Sequence, residues 1–340
     1  MLSTIYAAGA AARRRGYSRP GRQRRLQNPV VSIGNLRVGG SGKTPAVAHV
    51  ARLLAAMGER PAILSRGYGR RTAPDGVVVV SDGERLRADL ATSGDEPLML
   101  ARTIDGARVL VAADRYTAGR LAEAHLGATV HVLDDGFQHL ALARGTDLVI
   151  VGEDELADPR TLPAGRLREP LSAASCADAV LVPGSDDERA ADVAGRLGVP
   201  TWFRLVREAQ APWRLGVNGP LAMDEPRGPV HAVAGVARPD RFFAELEADG
   251  WDVKGRSAFR DHHRYSARDL ARVAAAAYRE GAGALITTEK DMMRMLPLRP
   301  LPLPLIWVPL AVRIEPVERF REWLGQRLAA ERSRPEDSPR

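Results

Sequence analysis

The run Val31-Ser32-Ile33-Gly34-Asn35-Leu36-Arg37-Val38-Gly39-Gly40-Ser41-Gly42-Lys43-Thr44 has the makings of a phosphate cradle. A short apolar stretch enters a glycine-rich turn, and Gly-Lys-Thr opens an amphipathic stretch. Glycines let successive backbone N–H groups converge on an oxyanion, and a following helix adds the positive end of its dipole. In such a loop, Arg37, Val38, Gly39, Gly40, Ser41, Gly42, Lys43 and Thr44 surround the nucleotide phosphates. Lys43 then reaches the β- and γ-phosphates, and the Thr44 hydroxyl binds Mg²⁺.

One position departs from the pattern. The first glycine of G-x-x-x-x-G-K-[ST] falls at Arg37, so Gly39 and Gly40 are expected to supply the flexibility. The lysine is informative in itself. The chain has three lysines, Lys43, Lys254 and Lys290, against 46 arginines. A lysine at this position, in so arginine-biased a sequence, points to a need for a compact ammonium.

A phosphate loop of this kind works with an acid at the end of a neighbouring strand. Residues 130–139 (VHVLDDGFQH) supply one. Asp134 is the candidate metal ligand beside Thr44, and Asp135 the candidate catalytic carboxylate. In a parallel sheet both would face the same crevice as the loop, although Asp-Asp-Gly is also a common turn. Residues 94–97 (GDEP) put Asp95 and Glu96 in a glycine-led turn opening a helix, where the dipole favours carboxylates. Asp95 could equally serve as a helix cap. His262 sits in Asp261-His262-His263, but no second cluster supplies the ligands of a metal site.

These residues need a frame. From Pro29 onward, short apolar runs alternate with longer amphipathic ones, the signature of a mostly parallel sheet flanked by helices. Strands are predicted at 30–33, 62–65, 77–80, 109–112, 130–133, 148–151 and 179–182, with helices near 44–57, 96–104, 116–125 and 187–197. The fold class is therefore α/β, a P-loop NTPase-like core with a second, smaller α/β domain and a basic N-terminal helical arm. The arm spans 1–26, the core 27–215, and a turn-rich junction 216–228. The smaller domain at 229–300 has strands at 230–234 and 284–287 and helices at 239–248 and 267–278. Residues 301–330 hold a returning strand within 303–314, whose sheet the sequence leaves open, and a final helix. Residues 331–340 are expected to be disordered.

Composition narrows the class. The net charge is +7, from 49 basic and 42 acidic residues. Residues 1–25 hold seven arginines and no acid, and without them the balance is 42 to 42. The whole excess thus lies in one arm. Its apolar start precedes the charge, the reverse of a secretory signal, and is too short to cross a bilayer. A solvated tail and an arm lying on an anionic membrane both fit. A single cysteine, Cys176, rules out an intrachain disulfide and suits a reducing compartment. The three asparagines, Asn28, Asn35 and Asn218, do not precede a lysine, so no Asn-Lys-x-Asp guanine reader is present. A small-molecule kinase and a membrane-tethered P-loop ATPase acting as a partner switch remain.

Nine motifs, in order, resemble the tetraacyldisaccharide 4'-kinase family of lipid A biosynthesis. They are 39–45 (GGSGKTP), 64–70 (LSRGYGR), 94–97 (GDEP), 114–115 (DR), 134–139 (DDGFQH), 162–171 (LPAGRLREPL), 235–243 (GVARPDRFF), 259–265 (FRDHHRY) and 287–291 (TTEKD). The resemblance implies transfer of the γ-phosphate of ATP, with Mg²⁺, to the 4'-hydroxyl of a lipid-linked disaccharide 1-phosphate, forming lipid IVA. It implies work at the cytoplasmic face of the bacterial inner membrane, which gives the basic arm an anionic surface to bind. No nucleic-acid partner and no obligatory protein partner is expected. By the same resemblance Asp95 is the catalytic base, His262 its orienting partner once the domains close, and Glu96 a metal or active-site ligand. Arg66, Tyr68, Arg115 and Glu169 line the nucleotide or acceptor site. The 287–291 motif also reads as a helix-capping element.

Overall fold

The computed structural model describes residues 1–40, 42–70, 72, 75–208, 210–216, 220–223 and 228–334. Much of the predicted junction, and residues 335–340, lie outside these. The chain divides into two compact units, Met1–Arg207 with Val312–Arg340, and Glu208–Ala311.

The first unit opens with helix α1 (Leu2–Tyr17) and then builds strands β1 (Val30–Asn35), β2 (Pro61–Ser65), β3 (Val78–Asp82), β4 (Arg108–Val111), β5 (Val130–Asp134), β6 (Thr146–Ile150), β7 (Ala179–Pro183) and β8 (Trp202–Glu208). Helices α2 (Lys43–Ala56), α3 (Leu90–Ser93), α4 (Asp95–Thr103), α5 (Arg115–Leu126), α6 (Glu153–Ala157) and α7 (Asp187–Leu197) lie between them. After β8 the chain builds the second unit from β9 (Trp213–Leu215), β10 (Pro220–Ala222), β11 (Val230–Ala234), α8 (Pro239–Ala248), β12 (Val253–Ala258), α9 (Ala267–Arg279), β13 (Ala284–Thr288), α10 (Glu289–Met295) and β14 (Leu305–Val308). It returns to the first as β15 (Ala311–Glu315) and α11 (Val317–Arg332).

The large sheet has the order β15-β8-β7-β6-β1-β5-β2-β4-β3. From β8 to β4 its pairings are parallel, and β3 closes one edge antiparallel to β4. Strand β1 thus lies at the centre, buried along its length, with helices on both faces. Alternation along the strands sorts the apolar residues. Val31, Ile63 and Val132 face Val47, Val50 and Leu54 of α2, while Val30, Leu64 and Leu133 face Ala118 and Ala122 of α5. Burying a Val or Leu in this way contributes about 1.5–3 kcal/mol. The second sheet has the order β10-β9-β14-β13-β11-β12, parallel from β14 to β12 and antiparallel at β9 and β10.

Three domain readings need correction. The core ends near Arg207, not 215, because β9 pairs with β14 in the second sheet. The segment 303–314 holds two strands, β14 in the small sheet and β15 beside β8 in the large one. Finally, Glu331 and Arg332, placed in a disordered tail, belong to α11. That helix closes the first unit. Phe320 packs edge-on to Phe203 with centroids 5.0 Å apart. Arg327 donates to the Gly145 carbonyl at 2.6 Å and to Asp178 at 2.7 Å. Glu331 accepts from the Val30 amide at 3.3 Å, and Arg332 pairs with Glu59 at 2.8 Å.

Helix α1 buries no residue and is held by polar contacts, including Thr161 Oγ to the Ser3 carbonyl at 2.9 Å. Met1, Leu2, Ile5 and Tyr6 are exposed. Among the described residues, no helix is long and apolar enough to cross a membrane.

Candidate active site

The phosphate loop joins the central strand to α2. Gly39 and Gly42 take left-handed turns, with φ of 100° and 82°. Gly42 precedes Lys43, the first residue of α2. Ser41 lies outside the described residues.

The front half of the loop is held by residues 161–168. The Arg168 amide donates to the Leu36 carbonyl at 2.6 Å, and the Val38 amide donates to the Arg166 carbonyl at 2.9 Å. Arg37 is buried, and its guanidinium meets Asp154 at 3.2 Å and Glu155 at 3.5 Å on α6. The arginine in the usual glycine position is therefore an anchor for the loop, paired away through its side chain. At Gly34, a Cβ would lie 2.5 Å from Phe137 Cβ and 2.7 Å from its nitrogen. Only glycine lets the 134–139 turn cross this close to β1.

Register carries the acids to the same edge. Ile33 of β1 pairs with Asp134 at the end of β5. Lys43 Nζ donates to Asn35 Oδ1 at 3.1 Å and lies 3.6 Å from Asp135 Oδ1. Burial pushes the Lys43 ammonium below its ordinary value, with Asp135 opposing. Asp135 receives both forks of Arg168, at 2.7 and 2.9 Å. Burial pushes its carboxyl up, but the Arg168 hydrogen bond and the Lys43 charge outweigh this and hold it low.

Asp134 behaves in the opposite way. It is buried, accepts from Ser65 Oγ at 3.1 Å, and is pushed up to about 7 by burial, then by Glu96 and Asp135. Two adjacent carboxyls thus hold their protons very differently, as happens where carboxylates crowd with unequal cation support.

Asp95 is buried at the first turn of α4, and its Oδ1 accepts from the Glu96 amide at 3.0 Å. The cap position belongs to Gly94, so Asp95 is not the N-cap. Arg115 is buried at the start of α5. Its guanidinium is pushed down to about 10 by burial and then by Arg66, against the pull of Asp134, Asp135 and Asp114. Arg66 and Tyr68 are exposed on the loop after β2.

Glu169 was expected to line the nucleotide or acceptor site. It is buried in an ion pair with Arg14 of α1 at 2.5 Å. Arg14 also stacks on Phe137 at 4.4 Å and donates to its carbonyl at 3.2 Å, while Arg13 donates to the Gln138 carbonyl at 3.1 Å. Further along the arm, Arg24 stacks on Tyr116 at 4.6 Å and pairs with Asp114, the cap of α5. The arm is thereby tied to the turn that carries Asp134 and Asp135.

His262 belongs to the second unit. Its backbone is left-handed, with φ of 57°. Among the described residues, Asp135, at 52°, is the other non-glycine with positive φ. Each such residue costs about 1–3 kcal/mol and persists where its surroundings over-determine it. The 287–291 motif does cap α10, since Thr288 accepts from the Asp291 amide.

Sequence reasoning passed over Arg168, Asn35 and Ser65, which hold Asp135, Lys43 and Asp134. Arg168 lay inside the 162–171 motif, and this was the one signal available for it.

The donor set fits a hard cation: the Thr44 hydroxyl with the Asp134 and Glu96 carboxylates, whose mutual repulsion a cation would relieve. Among the described residues, no three His, Cys, Asp or Glu side chains converge as a self-sufficient metal cage. Mg²⁺ bound to nucleotide needs none, because phosphates and waters complete its shell.

The family described as LpxK, tetraacyldisaccharide-1-P 4'-kinase, matches residues 1–329. The chain is 39% identical over 301 residues to a tetraacyldisaccharide 4'-kinase of Koribacter versatilis, covering 86% of this chain and 87% of that one. Over 301 residues it is 40% identical to one of Geobacter metallireducens, covering 88% of each. A crystal structure of LpxK from Aquifex aeolicus, in complex with ATP, superposes with a TM-score of 0.76 at 30% identity, over 96% of this chain and 97% of that one. Matched over residues 1–329 by the family model and 39–40% identical to two of its curated members, the chain belongs to the tetraacyldisaccharide-1-P 4'-kinase family.

Proposed function

We propose that this protein transfers the γ-phosphate of ATP to the 4'-hydroxyl of a tetraacyldisaccharide 1-phosphate, forming lipid IVA. The observation that carries the reading is the meeting of Lys43, Asp134, Asp135 and Arg168 beside the loop at the end of the central strand. Phosphoryl transfer asks a protein mainly for positioning and for charge stabilisation. Gly39, Gly40, Ser41, Gly42 and Thr44 cradle the nucleotide phosphates, and Lys43 holds the β- and γ-phosphates. Arg168 and Asp135 hold Lys43 and the loop in place, while Arg66, Tyr68 and Arg115 face the anionic substrates.

Thr44, Asp134 and Glu96 hold Mg²⁺, which when bound neutralises charge on the phosphate oxygens. Asp95 accepts the proton of the 4'-hydroxyl as its oxygen bonds to the γ-phosphorus and the bond to ADP breaks. His262 orients Asp95. Glu169 serves by seating Arg14 and hence α1.

The acceptor is an anionic amphiphile, so we place the enzyme at the cytoplasmic face of the inner membrane. Exposed Leu2, Ile5 and Tyr6 and the exposed Arg15, Arg19, Arg22 and Arg25 suit an anionic surface, each such arginine contributing about 1 kcal/mol near it. The test is conversion of the purified disaccharide 1-phosphate to its 4'-phosphate, dependent on ATP and Mg²⁺, with simple sugars and proteins as controls. Phosphate incorporated only into protein would refute the assignment.

A further inference from the structure

We propose that Arg294 is a positioning residue, fixing the His262 imidazole in the tautomer that carries its proton on Nε2. The inference rests on the reading that His262 orients the catalytic base, and it extends that reading to a residue outside the nine motifs.

The geometry is specific. Arg294 Nη2 lies 3.2 Å from His262 Nδ1. A guanidinium has only donors, so Nδ1 must present its lone pair. The proton of the neutral ring then sits on Nε2, which lies 3.9 Å from Asp261 Oδ1. A ring held this way can donate from Nε2. In the opposite tautomer Nε2 would present a lone pair, which repels a carboxylate.

Arg294 is itself over-determined. It is buried, and its Nη1 donates to the Gly235 carbonyl and to Asp291 Oδ1, both at 2.9 Å. Asp291 is fully buried. It accepts from the Gly235 amide at 2.9 Å, from Thr288 Oγ at 2.8 Å and from the Tyr265 hydroxyl at 3.0 Å. Burial, and then Asp291, push the Tyr265 phenol far up, so it remains a donor. The Gly235 carbonyl also accepts from the His262 amide, at 3.1 Å. A Cβ at Gly235 would sit 2.9 Å from the Tyr265 hydroxyl and 3.0 Å from Asp291 Oδ1.

Three separated stretches, beginning at Gly235, at Phe259 and at Thr287, thus close on one hub whose outermost member is His262. A cap and a buried ion pair alone would not need Arg294 to reach the imidazole with its second nitrogen. The left-handed backbone at His262 presents the ring to that nitrogen.

The test reads the tautomer directly. Full-length protein with ¹⁵N-labelled histidine is studied by long-range ¹H–¹⁵N correlation at about pH 8, where an ordinary imidazole is neutral, with His262→Gln to assign the signals. The wild type is expected to show an unprotonated Nδ1 and a protonated Nε2. Arg294→Met should erase that preference, and Arg294→Lys, which keeps a donor, should retain part of it. Arg294→Met should also lower kcat roughly ten- to hundredfold with KM for ATP changed less than about threefold. In a His262→Ala background it should add less than about threefold.

A wild-type spectrum with the proton on Nδ1 overturns the proposal without any variant, so a failure of Arg294→Met to fold does not shelter it. An unchanged tautomer in folded Arg294→Met overturns it equally. A shifted tautomer with normal kcat, or normal turnover by His262→Ala, removes the role of His262 in orienting the base while the tautomer assignment stands.

Discussion

Replacing Asp134 by asparagine is expected to stabilise the nucleotide-free protein while abolishing turnover, and to do so in a pH-dependent way. An unfolded aspartate loses its proton near 3.8, whereas folded Asp134 keeps it to about 7, held there by burial and by Glu96 and Asp135. Between those values the folded chain binds more protons than the unfolded one, so rising pH weakens the fold. Relative to an aspartate that titrates normally, this raised carboxyl lowers stability by at most about 4 kcal/mol at pH 8 and by about 1–2 kcal/mol at pH 5. The substituted amide keeps the shape, and its oxygen can still accept from Ser65, but it never takes up the charge. The melting advantage of Asp134→Asn should therefore grow from pH 5 to pH 8 in EDTA. Mg²⁺ with nucleotide should shrink it, because only the wild type gains a ligand. Thermal melts of both proteins at four pH values, with and without Mg²⁺ and ATP, decide the matter. A difference that stays flat with pH, or a variant less stable at pH 8, would refute the account of the carboxylate cluster.

Lys43→Ala should cost roughly 10²–10³ in kcat with little change in melting, and normal turnover at saturating ATP would remove it from the site. Single alanine variants at Asp95 and His262 should each lower kcat strongly, and the double variant should be little worse than the poorer single. Fully multiplicative losses would dissolve the pair. Arg14→Ala strands buried Glu169 without its cation, a loss of roughly 3–5 kcal/mol, and limited proteolysis should then cut within residues 1–25 faster, so an unchanged cleavage rate would show that the ion pair does not seat the arm. Deleting residues 2–25 should weaken binding to anionic vesicles at low salt more than it weakens ATP binding, and equal vesicle partition would refute the membrane role.

The sheet was legible where strands are buried on both faces. The runs that became β1, β5, β6 and β7 are mostly apolar stretches, as strands buried on both faces tend to be. Strands β8 and β12 were not legible. The residues of β12, Val253–Ala258, read VKGRSA and expose every second side chain, so no apolar run marks them. The boundary of the inserted unit was hidden for a related reason. Pairing of β14 with β9, and of β15 with β8, is decided by partners far away in sequence.

In the site, Lys43 and Asp134 could be read because loop and strand end are local patterns. Arg168 is one of 46 arginines, and its grip on Asp135 exists only once residues 161–168 cross the loop. The ion pair of Glu169 with Arg14 was not legible, because nothing in the 162–171 motif points to an arginine at position 14.

The placement of α11 bears on the order in which the protein can be finished during synthesis. Strand β1, which carries the phosphate loop, is made before every other strand of the sheet, yet its first amide is held by Glu331 and the loop before β6 by Arg327. At about 5–20 residues per second, the ribosome delivers those partners roughly 15–60 seconds after β1. The inserted unit, contiguous from Glu208 to Ala311, is complete in sequence before β15 and α11 emerge. The central strand is thus the earliest element of the sheet to be translated and among the last to acquire all its contacts. Over that interval β1, β8 and Phe203 lack the contacts that β15 and α11 supply.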